Sequence, residues 1–260
     1  MMDMPRNSFK LALLAGQQQI GLWCTLSSPY AIDVVADAGF DWLMIDTEHS
    51  PADVPEVLDQ LQAIAGHAPS AIVRPASNDP VLIKRLLDIG VQTLLVPCIE
   101  SADQARAAVA AVRYPPNGIR GVSALTRATR FGRVKDYPAK ADAEVCLLLQ
   151  IETRAGLDAL EQIAEVEGVD GLFIGPGDLA ASLGHIGQLG HPEVVAAVEN
   201  AIARSVGTGK PVGILTGDAA FAERCIALGT GFTAVGVDAG LLARAADTLA
   251  RRFKTPPGSA

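Results

Sequence analysis

Charge, cysteine and long apolar runs are all scarce in this chain of 260 residues, and each shortage excludes something. Charged residues make up only 19%, the net charge is −8 and the pI is near 5.0, so a nucleic-acid partner is not expected. A small anionic substrate stays open, because a local metal or arginine can override the global field. No apolar run approaches the roughly 18–20 residues needed to span a bilayer. The N-terminus, MMDMPRNSFK, lacks a basic segment followed by an apolar one. Neither a membrane span nor a secretory signal is therefore expected, and the chain reads as cytoplasmic. The four cysteines, Cys24, Cys98, Cys146 and Cys225, are far apart and form no C-x-x-C pair. Three of them lie in apolar, strand-like segments, so buried reduced thiols are expected. P-loop, GxGxxG, GxSxG and HExxH patterns are missing as well.

What the chain does have is an alternation of short apolar runs and longer amphipathic stretches. The apolar runs are Ile20 to Leu26, Asp41 to Asp46, Ala71 to Pro75, Thr93 to Glu100, Val145 to Glu152, Gly171 to Asp178, Pro211 to Gly217 and Phe232 to Asp238. Near-continuous Val, Ile and Leu suits strands buried on both faces, as in a parallel sheet. The gaps carry helical patterns such as SPYAIDVVADAG and DPVLIKRLLDIG. Several open on Ser or Asp as an N-cap and close at Gly. Eight such units in one chain of this length predict a single (β/α)₈ TIM-barrel domain over residues 1–260, with a doubly wound open sheet as the alternative. The tail KTPPGSA, residues 254–260, reads as disordered. The stretch Tyr114 to Ala143, rich in Pro, Gly and Arg, is too long for a plain crossover, and it is expected to lie over the C-terminal mouth.

In a barrel the reacting groups cluster at the C-terminal ends of the strands. Those ends carry Trp23; Asp46, Thr47, Glu48 and His49; Arg74; Gln150 and Glu152; Gly175, Gly177 and Asp178; and Asp238. Glu152 and Asp178, from adjacent strand ends, would repel without a counter-charge, and a hard cation such as Mg²⁺ or Mn²⁺ suits them. Each could instead be a solvated carboxylate, and Asp178, preceding LAASLG, could be a helix N-cap. Arg74 lies within a strand run and needs a partner. It is either one half of a structural salt bridge or a forked clamp for an oxyanion. His49, close to Asp46 and Glu48, is either a general base or a solvated loop histidine. His67, His185 and His191 read as surface residues. No lysine sits at the C-terminal end of a strand, and Lys210 precedes its strand, so Schiff-base chemistry is not expected.

Taken together, GLWCTLSSP, FDWLMIDTEHSP, VRP, LLDIGVQTLLVP, RYPPNGIRGV, QIETRAG, GLFIGPGDLAASLG and AVGVDAGLLARA resemble one family over nearly the whole chain. That family is the metal-dependent class II pyruvate aldolases of the 4-hydroxy-2-oxoheptanedioate and 2-keto-3-deoxy-sugar-acid type. The resemblance implies His49 as catalytic base with Asp46 beside it, Arg74 as enolate stabiliser, and Glu152 and Asp178 as ligands for Mg²⁺, Mn²⁺ or Co²⁺. It implies substrate contacts at Gln150 and at the Gly177 backbone, with Trp23 near the site. It also implies that Asp88, in LLDIG, raises the basicity of the histidine. Asp88 falls at the wrong end of its own barrel for that, so it would have to serve a neighbouring subunit. The family resemblance further implies a homo-hexamer with the last helix, GLLARAADTLARRF, exchanged between subunits. The expected reaction is reversible cleavage of a 4-hydroxy-2-oxo acid to pyruvate and an aldehyde. A CoA-thioester lyase or oxo-acid decarboxylase on the same barrel is one alternative, and a catalytically silent binding barrel is another.

Overall fold

The computed structural model describes residues 2–254. Eight strands form a closed, all-parallel barrel in sequence order: β1 (Gln19–Cys24), β2 (Trp42–Asp46), β3 (Ser70–Arg74), β4 (Thr93–Val96), β5 (Cys146–Ile151), β6 (Gly171–Ile174), β7 (Val212–Leu215) and β8 (Phe232–Val237). Closure removes the open-sheet alternative. Around the barrel run α1 (Ser8–Leu14), α2 (Pro29–Ala36), α3 (Val54–Ile64), α4 (Pro80–Asp88), α5 (Ala102–Val112), α6 (Tyr137–Glu144), α7 (Arg154–Asp158), α8 (Leu160–Ala164), α9 (Pro176–Ser182), α10 (Pro192–Gly207), α11 (Ala219–Ala227) and α12 (Asp238–Lys254). Every expected apolar run became a strand. Several strands end earlier than expected, β4 at Val96 and β6 at Ile174, because the following residues leave the ladder to build the mouth. The expected caps form at Ser28, Asp79, Ser101 and Asp218, each side-chain oxygen accepting a first-turn N–H.

Strand residues alternate between two cores. Leu22, Leu43, Ile45, Val73, Leu94, Leu147 and Leu149 face outward and pack against the helices. Trp23, Trp42, Met44, Ile72, Leu95, Cys146, Leu148, Phe173 and Phe232 fill the barrel interior. The helix α1 closes the strand-start end, with Phe9 edge-on to Trp42 (centroids 6.1 Å apart) and Phe232 (5.6 Å). Two glycines make room for these rings. A Cβ on Gly21 would lie 2.2 Å from the Trp42 ring, and one on Gly213 would lie 2.2 Å from Phe232.

Three expectations need correction. The stretch Tyr114 to Ala143 does not cover the C-terminal mouth. It follows α5, and a helix in this fold returns the chain to the strand-start end, so an insertion before the next strand stays there. It is anchored by the Ala128 N–H to the Asp88 carbonyl (3.1 Å) and by Arg127 Nη1 to the Ile89 carbonyl (2.7 Å). Secondly, Cys98 is exposed, whereas Cys24, Cys146 and Cys225 are buried and unpaired as expected. Its apolar run ends in an irregular loop after β4. Thirdly, Lys254 of the expected disordered tail closes α12, while residues 255–260 lie outside the described residues. The helix α12 is itself unusual. Of its 17 residues only Asp238 is buried, and Leu241, Leu242, Leu249 and Phe253 are exposed. Among the described residues no helix is long and apolar enough to cross a membrane.

Candidate active site

The site grows out of the inward-facing register. In β2 the inward positions are Trp42, Met44 and Asp46; in β3, Ile72 and Arg74; in β5, Cys146, Leu148 and Gln150. The same phase that fills the barrel with apolar groups therefore turns polar at its last turn. Asp46 and Arg74 are paired directly in the β2–β3 register. Arg74 Nε donates to Asp46 Oδ1 at 2.8 Å, and Nη2 donates to Oδ2 at 2.6 Å. Nη1 lies 2.8 Å from Glu48 Oε2. The guanidinium, only 6% exposed, also stacks over the Trp23 ring at 4.8 Å. The Trp23 indole N–H in turn donates to Asp46 Oδ2 at 3.2 Å.

These contacts set the charges. Burial disfavours ionised Asp46, but the hydrogen bond and charge of Arg74, with donors from the Glu48 backbone and Trp23, hold its carboxyl below the ordinary range. Burial likewise works against the Arg74 charge and is outweighed by Asp46, then Glu48 and Glu152. Glu48 goes the other way. Burial is the largest influence, Arg74 opposes it, and the charges of Glu152 and Asp46 help to push its pKa up.

Glu152 is 2% exposed and fixed on both oxygens. Oε1 accepts the Cys98 N–H at 2.8 Å, and Oε2 accepts Gln150 Nε2 at 2.5 Å. A Cβ on Gly175 would come within 2.7 Å of Glu152 Oε2, so only glycine leaves the carboxylate its place. The buried Gln150 Oε1 has no hydrogen-bond partner. Asp178 lies in the first turn of α9 without capping it; the cap position is Gly175, which removes the N-cap reading. Asp178 is exposed, like the neighbouring Gly177.

His49 is 62% exposed at the rim, and the carboxylate it faces is Glu48, at 3.9 Å from Nε2. The expected neighbour, Asp46, is taken up by Arg74, Trp23 and the Glu48 N–H at 3.0 Å. Asp238 is also structural. Its carboxylate accepts N–H groups of Thr25 (2.8 Å) and Leu26 (3.2 Å), clasping the β1 loop to the start of α12. Asp88 sits at the end of α4, at the strand-start end, as its position implied. Its Oδ1 is 3.7 Å from Arg120, a buried arginine stacked 4.5 Å over Tyr114. Burial raises the Asp88 carboxyl, with Arg120 and Lys84 opposing. Lys10 and Lys210 bond to the carbonyls of Val145 and Val169, before β5 and β6 and far from the mouth.

Two residues, Glu48 and Cys98, were not read from the sequence as possible ligands. Ligand atoms of Glu48, Cys98 and Glu152 lie within 4.8 Å of one another. Asp178 stands outside that group, yet its charge reaches the Cys98 thiol. Desolvation of the sulfur and then the charge and hydrogen bond of Glu152, with Glu48 and Asp178 adding to it, push that thiol up to about 12. A signal for Glu48 was present: Trp42, Met44, Asp46 and Glu48 share one alternating phase. For Cys98 there was none, because its place depends on a left-handed backbone turn at φ 56°.

A buried arginine beside clustered carboxylates, at the mouth of a parallel barrel, has the make-up of an enzyme active site. The comparisons sharpen this. The chain belongs to the HpcH/HpaI aldolase/citrate lyase family, which matches residues 19–245. It is 67% identical over 254 residues to a pyruvate aldolase of Rhizobium etli, covering 98% of this chain and 100% of that protein. It is 58% identical over 248 residues to a 4-hydroxy-2-oxo-heptane-1,7-dioate aldolase of Escherichia coli, covering 95% of each. The crystal structure of a family protein from Burkholderia cenocepacia J2315 superposes with a TM-score of 0.92 at 41% identity, covering 96% of this chain and 100% of that one.

Proposed function

We propose that this protein is a metal-dependent aldolase that reversibly cleaves a 4-hydroxy-2-oxo acid to pyruvate and an aldehyde. The observation that carries the reading is the charge imbalance at the mouth. Asp46 and Glu48 pair with Arg74, the charge of Glu152 also reaches it, and Asp178 adds a fourth carboxylate whose charge, like that of Glu152, reaches Cys98. That surplus of hard oxygen donors fits a divalent cation, and the family membership and the names of the close relatives agree with the aldolase reaction. Glu152 and Asp178 would hold Mg²⁺, Mn²⁺ or Co²⁺, with Glu48 within reach. When bound, such an ion polarises the oxygens of a 2-oxo acid as a Lewis acid.

The chain's own residues do the rest. Asp46 and Glu48 fix the Arg74 guanidinium while leaving N–H donors over for the 2-oxo oxygen, which gains charge as the C3–C4 bond breaks. His49, open at the rim, takes the 4-hydroxyl proton on cleavage, the enolate then takes a proton at C3 from water to give pyruvate, and both transfers run backwards in the reverse direction. Gln150 and the Gly177 backbone orient the acid, and Trp23 supports Arg74 from below.

We also read the chain as one barrel domain assembled into a hexamer with α12 exchanged between subunits. A helix that buries so little on its own barrel needs another surface. The exposed Ile119, Val122, Leu125 and Phe131 of the strand-start insertion supply further apolar area. In that assembly Asp88 would serve a neighbour's His49. The test of the reaction is pyruvate release from a panel of 4-hydroxy-2-oxo acids, before and after chelation and after adding back each metal. Full activity after rigorous metal removal, or inactivation by borohydride with pyruvate, would overturn it.

A further inference from the structure

A second group of ligand-type side chains lies outside this site. His185 follows α9, and His191 and Glu193 open α10. One ligand atom from each lies within 4.8 Å of the others, which is the only such group besides the one at the mouth among the described residues. The two imidazoles stack at 3.6 Å between centroids and 18° between planes. His185 Nε2 lies 2.8 Å from Glu193 Oε2, and that contact holds the Glu193 carboxyl below its ordinary range. The His185 side chain is 21% exposed, so it is already partly withdrawn from water.

A bound ion lies in the plane of each imidazole that holds it, so one of the two rings must turn out of the face-to-face stack for both to hold one ion. Ligand atoms bound to one tetrahedral ion at about 2.0–2.1 Å stand roughly 3.3 Å apart; the His185–Glu193 contact of 2.8 Å is near that separation, and His191 offers an atom within 4.8 Å of both. The His185 proton moves from Nε2 to Nδ1 on coordination. His191 Nδ1 accepts the Glu193 N–H over a long 3.3 Å, a weak bond that coordination could replace. Two influences oppose a cation: the positive end of α10, and Arg154, 3.9 Å from Glu193 Oε1. Both act at a solvated surface, where each is small beside three directed ligands.

We infer that His185, His191 and Glu193 form a second metal site that takes a borderline transition-metal ion of the Zn²⁺, Ni²⁺ or Cu²⁺ class. Two imidazoles and one carboxylate suit these ions and not Mg²⁺, the opposite preference to the carboxylate-rich mouth. Bound there, the ion ties α9, which carries Asp178, to the start of α10. It is a structural clamp and takes no part in the cleavage.

The experiment compares wild type, Glu152→Ala, and a His185→Asn/His191→Asn double variant alone and combined with Glu152→Ala. Asparagine at position 191 keeps an acceptor for the helix cap. After Zn²⁺ loading and desalting, Glu152→Ala is expected to retain one ion per protomer and the triple variant none. With substoichiometric Cu²⁺, electron paramagnetic resonance of the wild type should show nitrogen hyperfine structure that the double variant lacks. The double variant should keep wild-type Mg²⁺-supported cleavage. Zinc lost from Glu152→Ala on desalting, or nitrogen hyperfine unchanged in the double variant, overturns the proposal. Circular dichroism checks that each variant is folded before its metal is read, and single His185→Asn and His191→Asn variants take the place of the double variant in both arms if it misfolds.

Discussion

Replacing Arg74 with lysine separates the two readings of that residue. Arg74 presents three paired contacts: Nε and Nη2 to Asp46 at 2.8 and 2.6 Å, and Nη1 to Glu48 at 2.8 Å. A lysine keeps the charge but places it at a single point, and it cannot grip Asp46 and point a donor at substrate together. Asp46, 1% exposed, would keep a counter-charge and lose its forked hydrogen bonds. Hydrogen bonds to charged groups contribute about 1.5–3 kcal/mol each, so a stability loss of about 2–4 kcal/mol is expected. If Arg74 also holds the developing enolate, the chemical step should slow by about 10²–10³. The assay is deuterium exchange into the pyruvate methyl group, followed by proton NMR in D₂O, since exchange needs enolate formation and no aldehyde. Denaturant unfolding of the same samples separates lost structure from lost chemistry. A folded Arg74→Lys protein that exchanges at the wild-type rate would refute the clamp and leave the structural salt bridge.

Three further outcomes are expected. Asp238→Asn removes the charged acceptor of the Thr25 and Leu26 N–H groups and should cost about 1–3 kcal/mol in urea unfolding, with kcat/KM for pyruvate release nearly unchanged. Glu161 is paired with Arg204 at 2.7 and 2.6 Å, which brings its carboxyl down to about 2. That depressed pKa stabilises the fold above about 4.5 and the gain is lost as pH falls towards 2. The Tm gap between wild type and Arg204→Met should therefore close over that window, and because Glu161 is well exposed the gap corresponds to less than about 1 kcal/mol. Subunit exchange between inactive Asp88→Ala and inactive His49→Ala proteins should restore part of the cleavage activity, whereas a fully active monomer by light scattering would exclude a shared site.

The fold was legible because its signal repeats. Eight apolar runs, each followed by an amphipathic stretch and several of those opened by a capping Ser or Asp, leave few arrangements that bury both faces of every strand. The misreading of Tyr114 to Ala143 has a physical origin. Composition and length mark it as an insertion but say nothing of which end of the barrel it occupies. That follows from chain order alone: after a strand it would lie at the mouth, and after a helix, as here, it lies at the strand-start end.

The site was legible in its residue types and less so in its pairings. Asp46, Arg74 and Gln150 could be placed at the mouth by strand position, but the partner of each depends on register between strands. The Asp46–Arg74 pairing is a register fact. It committed Asp46 to the arginine and left Glu48 as the carboxylate facing His49. The alternation that buries Trp42 and Met44 continues past the end of β2 and brings Asp46 and then Glu48 inward. One phase therefore builds the hydrophobic interior and the charged mouth. A one-residue slip in β2 would turn Trp42 out of the barrel interior and remove Asp46 from Arg74 at once, so the packing of the barrel interior enforces the geometry of the site.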